Sequence, residues 1–304
     1  AETISTGSTS KLNMLIDEDN TYFVEMRPEN KGRSTIVRRD HEGKLTDMTP
    51  PEFNVRTLVH EYGGGAFTVR KGIIYASSGF DSAVYVVKSG KNPTRLTQGQ
   101  KKIEVEGTTK LEGTRFADLV ATSHGLIAVG EHHEPGKTVE NFLAFIDLKT
   151  GKYQKIASGY DFYSSPAISP DEKQIVWISW NHPYMPWTNT ELWLADIDNE
   201  GFITNQRQVA GKTPESIFQP QWSPEGILYF VTDRDKGWWN IHRYHQGVIE
   251  NVFPIEAEVG EPLWVFQRST YAFMGHKILF SYNKDGLWHL GLIDQDKKQW
   301  RSLG

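Results

Sequence analysis

The chain is predicted to be all-β, a β-propeller of four-stranded antiparallel blades, on three observations. First, one unit recurs six times at a spacing of about fifty residues. Its clearest strand is TYFVEM around Tyr22, IIYAS at Tyr75, LIAVG at Ala128, IVWIS at Trp177, ILYFV at Tyr229 and ILFSY at Phe280, at intervals of 53, 53, 49, 52 and 51 residues. Second, hydrophobic periodicity is two rather than 3.6, as in ELWLADID, and β-branched and aromatic residues cluster, as in AVYVV. Third, Gly and Pro punctuate nearly every gap: RPENKG, GKNP, EPGK, SPDEK, SPEG. Short β runs and turns repeating at this length describe a propeller blade.

The blades are placed at approximately 11–50, 60–98, 114–158, 162–211, 216–254 and 260–304, in one domain spanning 1–304. In the first, TYFVEM is followed by STIVRRDHEG, a strand ending in a Gly turn. In the second, IIYAS precedes AVYVVKSG. The stretch from Gln98 to Gly113, QGQKKIEVEGTTKLEG, is polar and is expected to be an irregular connection into the third blade. That blade continues through LIAVG, FLAFIDLKTG and QKIA. In the fourth and fifth, SPDEK and SPEG each follow a short strand (SSPAI, FQPQW) and precede a strong one, which places them as hairpins between first and second strands. HEPGKTVE (133–140) and NHPYMPWTNTE (181–191) occupy the place between second and third strands. In the sixth, ILFSY, HLGLIDQDK and WRSL complete the pattern.

Composition sets the broad class. A chain of 304 residues is long for one core, but a radial array of small sheets needs only neighbour contacts. Hydrophobic content of 38% with 10 Trp supplies the wedges between blades. A net charge of −5, with acids and bases interspersed, points away from nucleic acid and from an anionic membrane as partners. With no Cys, neither a disulfide framework nor a thiolate zinc site can form. The start, AETISTGSTSKLNM, has no charged n-region and no apolar h-region, and no apolar run approaches the ~18 residues of a membrane helix. A soluble, cytoplasmic protein is the expectation.

A nucleophile elbow needs G-x-S-x-G, and no Ser has Gly at both −2 and +2: Ser34 follows Gly32 but precedes Ile36, and Ser123 precedes Gly125 but follows Ala121. No catalytic residue is expected in this chain. His132 and His133, with Glu131 and Glu134, are strand neighbours that point to opposite faces and do not easily chelate one ion, and His60 beside Glu61 fails likewise. Asp233 and Asp235 around Arg234 have too few oxygens for calcium and read as a turn held by Asp side chains. Neither a metal nor a cofactor is expected.

Binding candidates are clearer. In HEYGGGAF the run Gly63–Gly65 permits close backbone approach, either where innermost strands converge or where His60, Glu61 and Tyr62 line a channel rim. In WNHPYMPWTNTE, Pro183 and Pro186 stiffen a loop carrying Asn181, Tyr184, Met185 and Trp187. It either docks on another domain or substrate, or folds back on its own blade. Arg115, Asp161 and Tyr163 sit at the entry to inner strands and are further rim candidates, as are Glu256 and Glu258 around Ala257.

Several long motifs carry a resemblance. YFVEMRPENKGRSTIVRRD (22–40), RTLVHEYGGGAF (56–67), DFYSSPAISPD (161–171), WNHPYMPWTNTELWLAD (180–196), SIFQPQWSPEGILYFVTDRDKGWWNIHRY (216–244) and EAEVGEPLWVFQRSTYAF (256–273) resemble the N-terminal propeller of the S9 prolyl-oligopeptidase superfamily. The branch most similar is that of acylaminoacyl-peptidases and dipeptidyl-aminopeptidases. The resemblance implies a seven-bladed propeller capping a C-terminal α/β-hydrolase domain with a Ser-Asp-His triad, the propeller selecting short peptides. This sequence shows six blade repeats and stops at Gly304, where the family's last blade and hydrolase domain would follow, so it reads either as a truncated seven-bladed ring or as a closed six-bladed one. It is therefore expected to be the non-catalytic, substrate-gating part of a serine peptidase. Its expected partners are the missing hydrolase domain and short peptides, with self-association through open blade faces. Some exopeptidases of the superfamily hold the substrate's α-amino group with propeller carboxylates, and Glu256 and Glu258 are candidates by that analogy. Two rivals are a free-standing TolB- or WD-like interaction scaffold and a polysaccharide-active propeller enzyme, which would need His, Gln and Arg around a metal.

Overall fold

A computed structural model describes residues 9–198, 201–212, 214–235 and 237–304. They form six antiparallel sheets, each a meander with its strands in chain order. The first sheet contains β1 (Ser10–Asp17), β2 (Asn20–Arg27), β3 (Arg33–Arg39) and β4 (Leu45–Asp47), with a 3₁₀ turn at Pro28–Asn30. The second contains β5 (Phe67–Arg70), β6 (Ile73–Ser77), β7 (Val84–Val87) and β8 (Thr94–Arg95). The third has five strands: β9 (Gln100–Val105), β10 (Thr108–Ala121), β11 (Leu126–His133), β12 (Glu140–Ile146) and β13 (Tyr153–Ala157). The fourth contains β14 (Phe162–Ile168), β15 (Gln174–Trp180), β16 (Glu191–Ile197) and β17 (Ile203–Ala210). The fifth contains β18 (Ile217–Trp222), β19 (Leu228–Thr232), β20 (Asn240–His245) and β21 (Val248–Asn251). The sixth contains β22 (Tyr271–Met274), β23 (Lys277–Lys284), β24 (Leu287–Asp294) and β25 (Gln299–Ser302). These sheets are the blades of a β-propeller. The chain forms two compact units, Ala1–Gly159 with the first three sheets and Tyr160–Gly304 with the last three. Among the described residues no helix is long and apolar enough to cross a membrane.

The expectation for 98–113 is overturned. Gln100–Val105 and Thr108–Gly113 pair as a regular hairpin, closed by the two-residue turn Glu106–Gly107 with φ of 52° and 73°. Both φ values are positive, as the tightest hairpin turns require. The ribbon has no buried face, so its sequence lacks the apolar contrast by which strands are read.

Period-two alternation explains the cores. In β6, Ile74 and Ala76 pack into a cluster with Tyr22, Val24, Ile36, Phe53 and Phe67 of the first and second sheets, whereas Tyr75 between them joins Phe116, Leu126 and Phe142 of the third. In β19, Leu228 and Phe230 face the fourth sheet's Val176, Ile178 and Leu192, while Tyr229 and Val231 face Tyr271, Ile278 and Phe280 of the sixth. A middle blade is thus buried on both faces, which is why its second strand is apolar throughout. Each such side chain contributes roughly 1.5–3 kcal/mol by leaving water. By contrast, Met14 and Ile16 of β1 are exposed (Ile16 78%), as are Leu287, Trp288 and Leu290 of β24 (Leu287 65%).

The first strands share a device. Register breaks in β1, β10, β14 and β18, and each break holds one left-handed residue: Asn13, Asp118, Ser165 and Gln219, with φ of 51°, 53°, 55° and 47°. Gly65, with φ of 56°, lies 52 residues after Asn13 and 53 before Asp118, and its carbonyl accepts the Asp118 N–H at 2.8 Å. The glycine run therefore fills the bulge position of the second blade. Gly63 is needed for close approach as well, since a Cβ there would stand 2.2 Å from the Thr57 oxygen.

Candidate functional site

The two ends of each sheet differ. At one end, tight turns join first to second strands, such as Lys71–Gly72 and Gly275–His276. At the other lie the entry to each first strand and the longer loops between second and third strands, 134–139, 181–190 and the described residues 233–235 and 237–239. Long loops on a rigid scaffold are where binding residues concentrate. The predicted candidates fall at this end.

In the first unit, a charged cluster is built across β10 and β11. Arg115 and Glu131 are register partners, so their side chains share one face, and His133 lies two residues further along that face. Both Arg115 and Glu131 are buried. The Arg115 Nε donates to Glu131 Oε1 at 2.7 Å, its Nη2 also contacts that oxygen, and Nη2 reaches Glu61 Oε1 at 2.5 Å. His133 Nε2 lies 2.6 Å from Glu131 Oε1, and Glu131 Oε2 accepts the His60 backbone N–H at 2.7 Å. Burial on its own would raise the Glu131 pKa. The Arg115 guanidinium, the His60 N–H and His133 outweigh it and hold the carboxyl below its ordinary range.

Glu131 thus shapes the 57–65 loop. His60 and Glu61 both adopt left-handed backbone, with φ of 54° and 67°. Such conformations cost energy in non-Gly residues and persist only where the surroundings over-determine them. Here the Glu131 bond and the glycine run do so. Burial pushes the His60 imidazole down to about 4, so it is neutral at pH 7. Glu61 emerges with its side chain 75% exposed, one oxygen held by Arg115, and Tyr62 is exposed beside it in sequence. The loop therefore presents an oriented carboxylate at the surface. On the other face of the same strands, Thr114 Oγ1 bonds His132 Nδ1 at 2.8 Å and Tyr153 Oη at 2.9 Å. Adjacent His132 and His133 are thereby committed to separate partners.

In the second unit, Asp161 is bonded twice to the Asn181–His182 segment. The Asp161 N–H donates to Asn181 Oδ1 at 2.8 Å, and the His182 N–H donates to Asp161 Oδ2 at 2.9 Å. This ties the 181–190 loop, which contains a cis His182–Pro183 bond, to the start of β14. The loop does not simply fold back on its own blade. Ser216 Oγ of the fifth blade donates to the Pro186 carbonyl at 3.2 Å. Trp187 packs on Trp264, with ring centroids 4.5 Å apart and a tilt of 44°. Tyr184, Met185 and Trp264 remain substantially exposed. Tyr163 is buried, accepts the Tyr160 N–H at 3.1 Å and has its pKa pushed up to about 12 by burial; it supports the loop base.

The Glu256–Glu258 idea fares differently. Glu258 Oε2 accepts the Trp239 N–H at 2.9 Å, and its backbone pairs with Asn283. It is spent on structure, leaving Glu256 alone exposed. Sequence reasoning passed over Glu215, buried at the start of the fifth blade, whose oxygens accept the Gly211 N–H at 2.5 Å and the Thr232 hydroxyl at 2.8 Å. It considered Glu131 and His133 only as metal ligands. A hairpin register from Arg115 to Glu131 through the 122–125 turn was the available signal. The side chains of Asp233 and Asp235 bond outside their turn: Asp233 accepts the Ser216 N–H at the start of the fifth blade at 2.8 Å, and Asp235 lies 2.8 Å from the buried His242 Nε2. Among the described residues no three His, Asp or Glu side chains are grouped to hold a metal.

No protein-family model and no curated protein sequence matches this chain. Solved structures do. A puromycin hydrolase structure superimposes with a TM-score of 0.87 at 27% identity, covering 99% of this chain and 48% of that one. A puromycin-hydrolyzing peptidase of Mycobacterium tuberculosis gives 0.86 at 28% identity, covering 99% of this chain and 47% of that one. An oligogalacturonate lyase in complex with manganese gives 0.54 at 15% identity, a likeness of fold alone. The chain thus spans about half the length of the puromycin hydrolases it matches, and that half is their propeller. With its six blades and its end-to-end match, the chain is a six-bladed β-propeller similar to the propeller half of these S9-family puromycin hydrolases.

Proposed function

We propose that this chain is the substrate-gating, non-catalytic propeller of an S9-type serine peptidase acting on short peptides, in the manner of dipeptidyl- and acylaminoacyl-peptidases. The observation that carries the reading is the match of 99% of the chain to the propeller half of puromycin hydrolases at TM-scores of 0.86–0.88. An α/β-hydrolase domain is its catalytic partner. Supporting evidence comes from each unit by itself: in the first a buried Arg115–Glu131 pair holds Glu61 outward, and in the second an ordered loop displays Tyr184 and Met185 while Trp187 packs on the exposed Trp264. A fixed carboxylate and an aromatic surface are suited to sorting small peptides by charge and shape. The exposed apolar residues of β1 and β24 are, on this reading, covered by the remaining polypeptide. The cytoplasm is the proposed compartment.

The test uses native protein captured from the source cells with an antibody to this chain. The expected product has roughly twice this chain's mass and labels covalently with a fluorophosphonate, as the ~50% coverage of the matched hydrolases implies. The chain alone should not turn over an aminoacyl-nitroanilide. Turnover by the chain alone, blocked by a serine-directed phosphonate, overturns the non-catalytic assignment. A native product of this chain's mass that does not label indicates a free-standing propeller.

A further inference from the structure

Among the described residues, the β9–β10 hairpin is the one place where a sheet gains a fifth strand. β10 is 14 residues long; its second half, from Gly113, pairs with β11, and its first five residues, Thr108–Glu112, pair only with β9. β9 ends the sheet, and no strand among the described residues pairs with its outer edge. A two-stranded ribbon is at best marginal in water, and an open edge is a template for another strand. Glycines with positive φ, Gly99 and Gly113, form its base, and backbone lies 2.2 Å and 2.5 Å from where their Cβ atoms would be.

The turn fixes which backbone groups point outward. Val105↔Thr108 closes the two-residue turn, so Val105, Ile103 and Lys101 exchange hydrogen bonds with β10. Lys102 and Glu104 direct their N–H and C=O groups to the free edge, whereas the Gln100 N–H at the base of the ribbon already donates to the Asp81 carbonyl at 2.8 Å. A second strand must bond to those residues. Of the two-fold antiparallel registers centred on this strand, one about Lys102 opposes two lysines and one about Glu104 opposes two glutamates. One about Ile103 sets Lys102 against Glu104 twice, in hydrogen-bonding pairs, with Ile103 against itself. β9 is therefore self-complementary in a single register. All three residues are accessible at the surface: Lys102 and Glu104 are exposed and Ile103 half-buried.

We propose that a second copy of this chain pairs edge to edge with the first along β9, in an antiparallel register centred on Ile103, making a four-stranded β10–β9–β9–β10 ribbon. Lys102 and Glu104 set the register by charge, and the backbone supplies the adhesion, as in other strand additions.

Sedimentation equilibrium of the full chain, with K102E, E104K and the K102E/E104K double variant, tests it. The parent chain is expected to dimerise. K102E sets carboxylates against each other at two symmetric places and E104K does the same with ammonium groups, so each should raise the dissociation constant by roughly tenfold. The double variant exchanges the charges and should restore the dimer. A chain that is monomeric throughout overturns the proposal. So does association indifferent to both single variants, which would locate the contact on the apolar faces of the first and last sheets, and so does failure of the double variant to restore it.

Discussion

At the residue scale, Glu131 holds the first unit's site together. It accepts from Arg115, from the His60 backbone and from His133 while buried. Removing one partner of a buried ion pair leaves the other charge unsolvated, which typically costs about 3–5 kcal/mol. Glu131→Ala should lower stability by that amount in a denaturant titration, whereas Glu61→Gln, at an exposed carboxylate, should change it by less than about 0.5 kcal/mol. Acid should act on the same cluster. The His60 pKa is pushed by burial from 6.5 to about 4, so between those values the unfolded chain binds the extra proton and stability falls as pH falls. The depressed Glu131 carboxyl acts in the same direction at lower pH: its contribution, full above the unfolded pKa, is lost as pH drops through the folded one. Urea midpoints should therefore decline from pH 7 to pH 4, and His60→Asn should flatten the slope between pH 6.5 and 4. An unchanged slope in that variant would remove His60 from the account. Residue types here were legible in the sequence: HEYGGG and GTRFADL marked Glu61 and Arg115. Their meeting was not, because it depends on a strand register 16 residues long in separation and on a loop bent by two left-handed residues.

At the element scale, the recurrent left-handed bulge in the first strands links sheets. Gln219, at the bulge of β18, accepts the Thr270 N–H at 2.7 Å and donates to the Tyr271 carbonyl at 2.8 Å, so its amide joins the fifth sheet to the first strand of the sixth. Gln219→Gly relieves the left-handed backbone while deleting both bonds, and thermal unfolding should show a net loss of about 1–2 kcal/mol. A gain would mean that backbone strain outweighs the amide's contacts. Gly63→Ala places a methyl 2.2 Å from the Thr57 oxygen at φ 70°, and should cost at least about 2 kcal/mol. Second and third strands were readable from alternation and from Gly turns. β9 was not, because its alternation is confined to Lys102–Val105 within a polar stretch and Ile103 and Val105 are only half-buried; periodicity reports burial rather than hydrogen bonding.

At the scale of the whole molecule, middle blades bury both faces, while β1 and β24 leave Met14, Ile16, Leu287 and Leu290 in water. Ile16→Glu should leave the stability of the chain alone within about 0.5 kcal/mol, since the side chain is 78% exposed. In the native protein captured from cells the same change should lower the unfolding temperature, if the remaining polypeptide covers that face. Equal melting of both native forms would show the face to be solvated there too.

The sequence by itself determined the all-β class, the blade repeat, the order of strong strands and the loops that carry the candidate residues. These follow from local periodicity and from turn residues whose backbone preferences act within a few positions. Tertiary structure decided which candidates work together. It joined Arg115 to Glu131 and Glu61, pinned the Pro-rich loop to the fifth and sixth blades, and withdrew Glu258 into a backbone bond. The physical reason is that a charge finds its partner through register and sheet stacking, which bring together residues far apart in the chain and leave no mark in either segment alone.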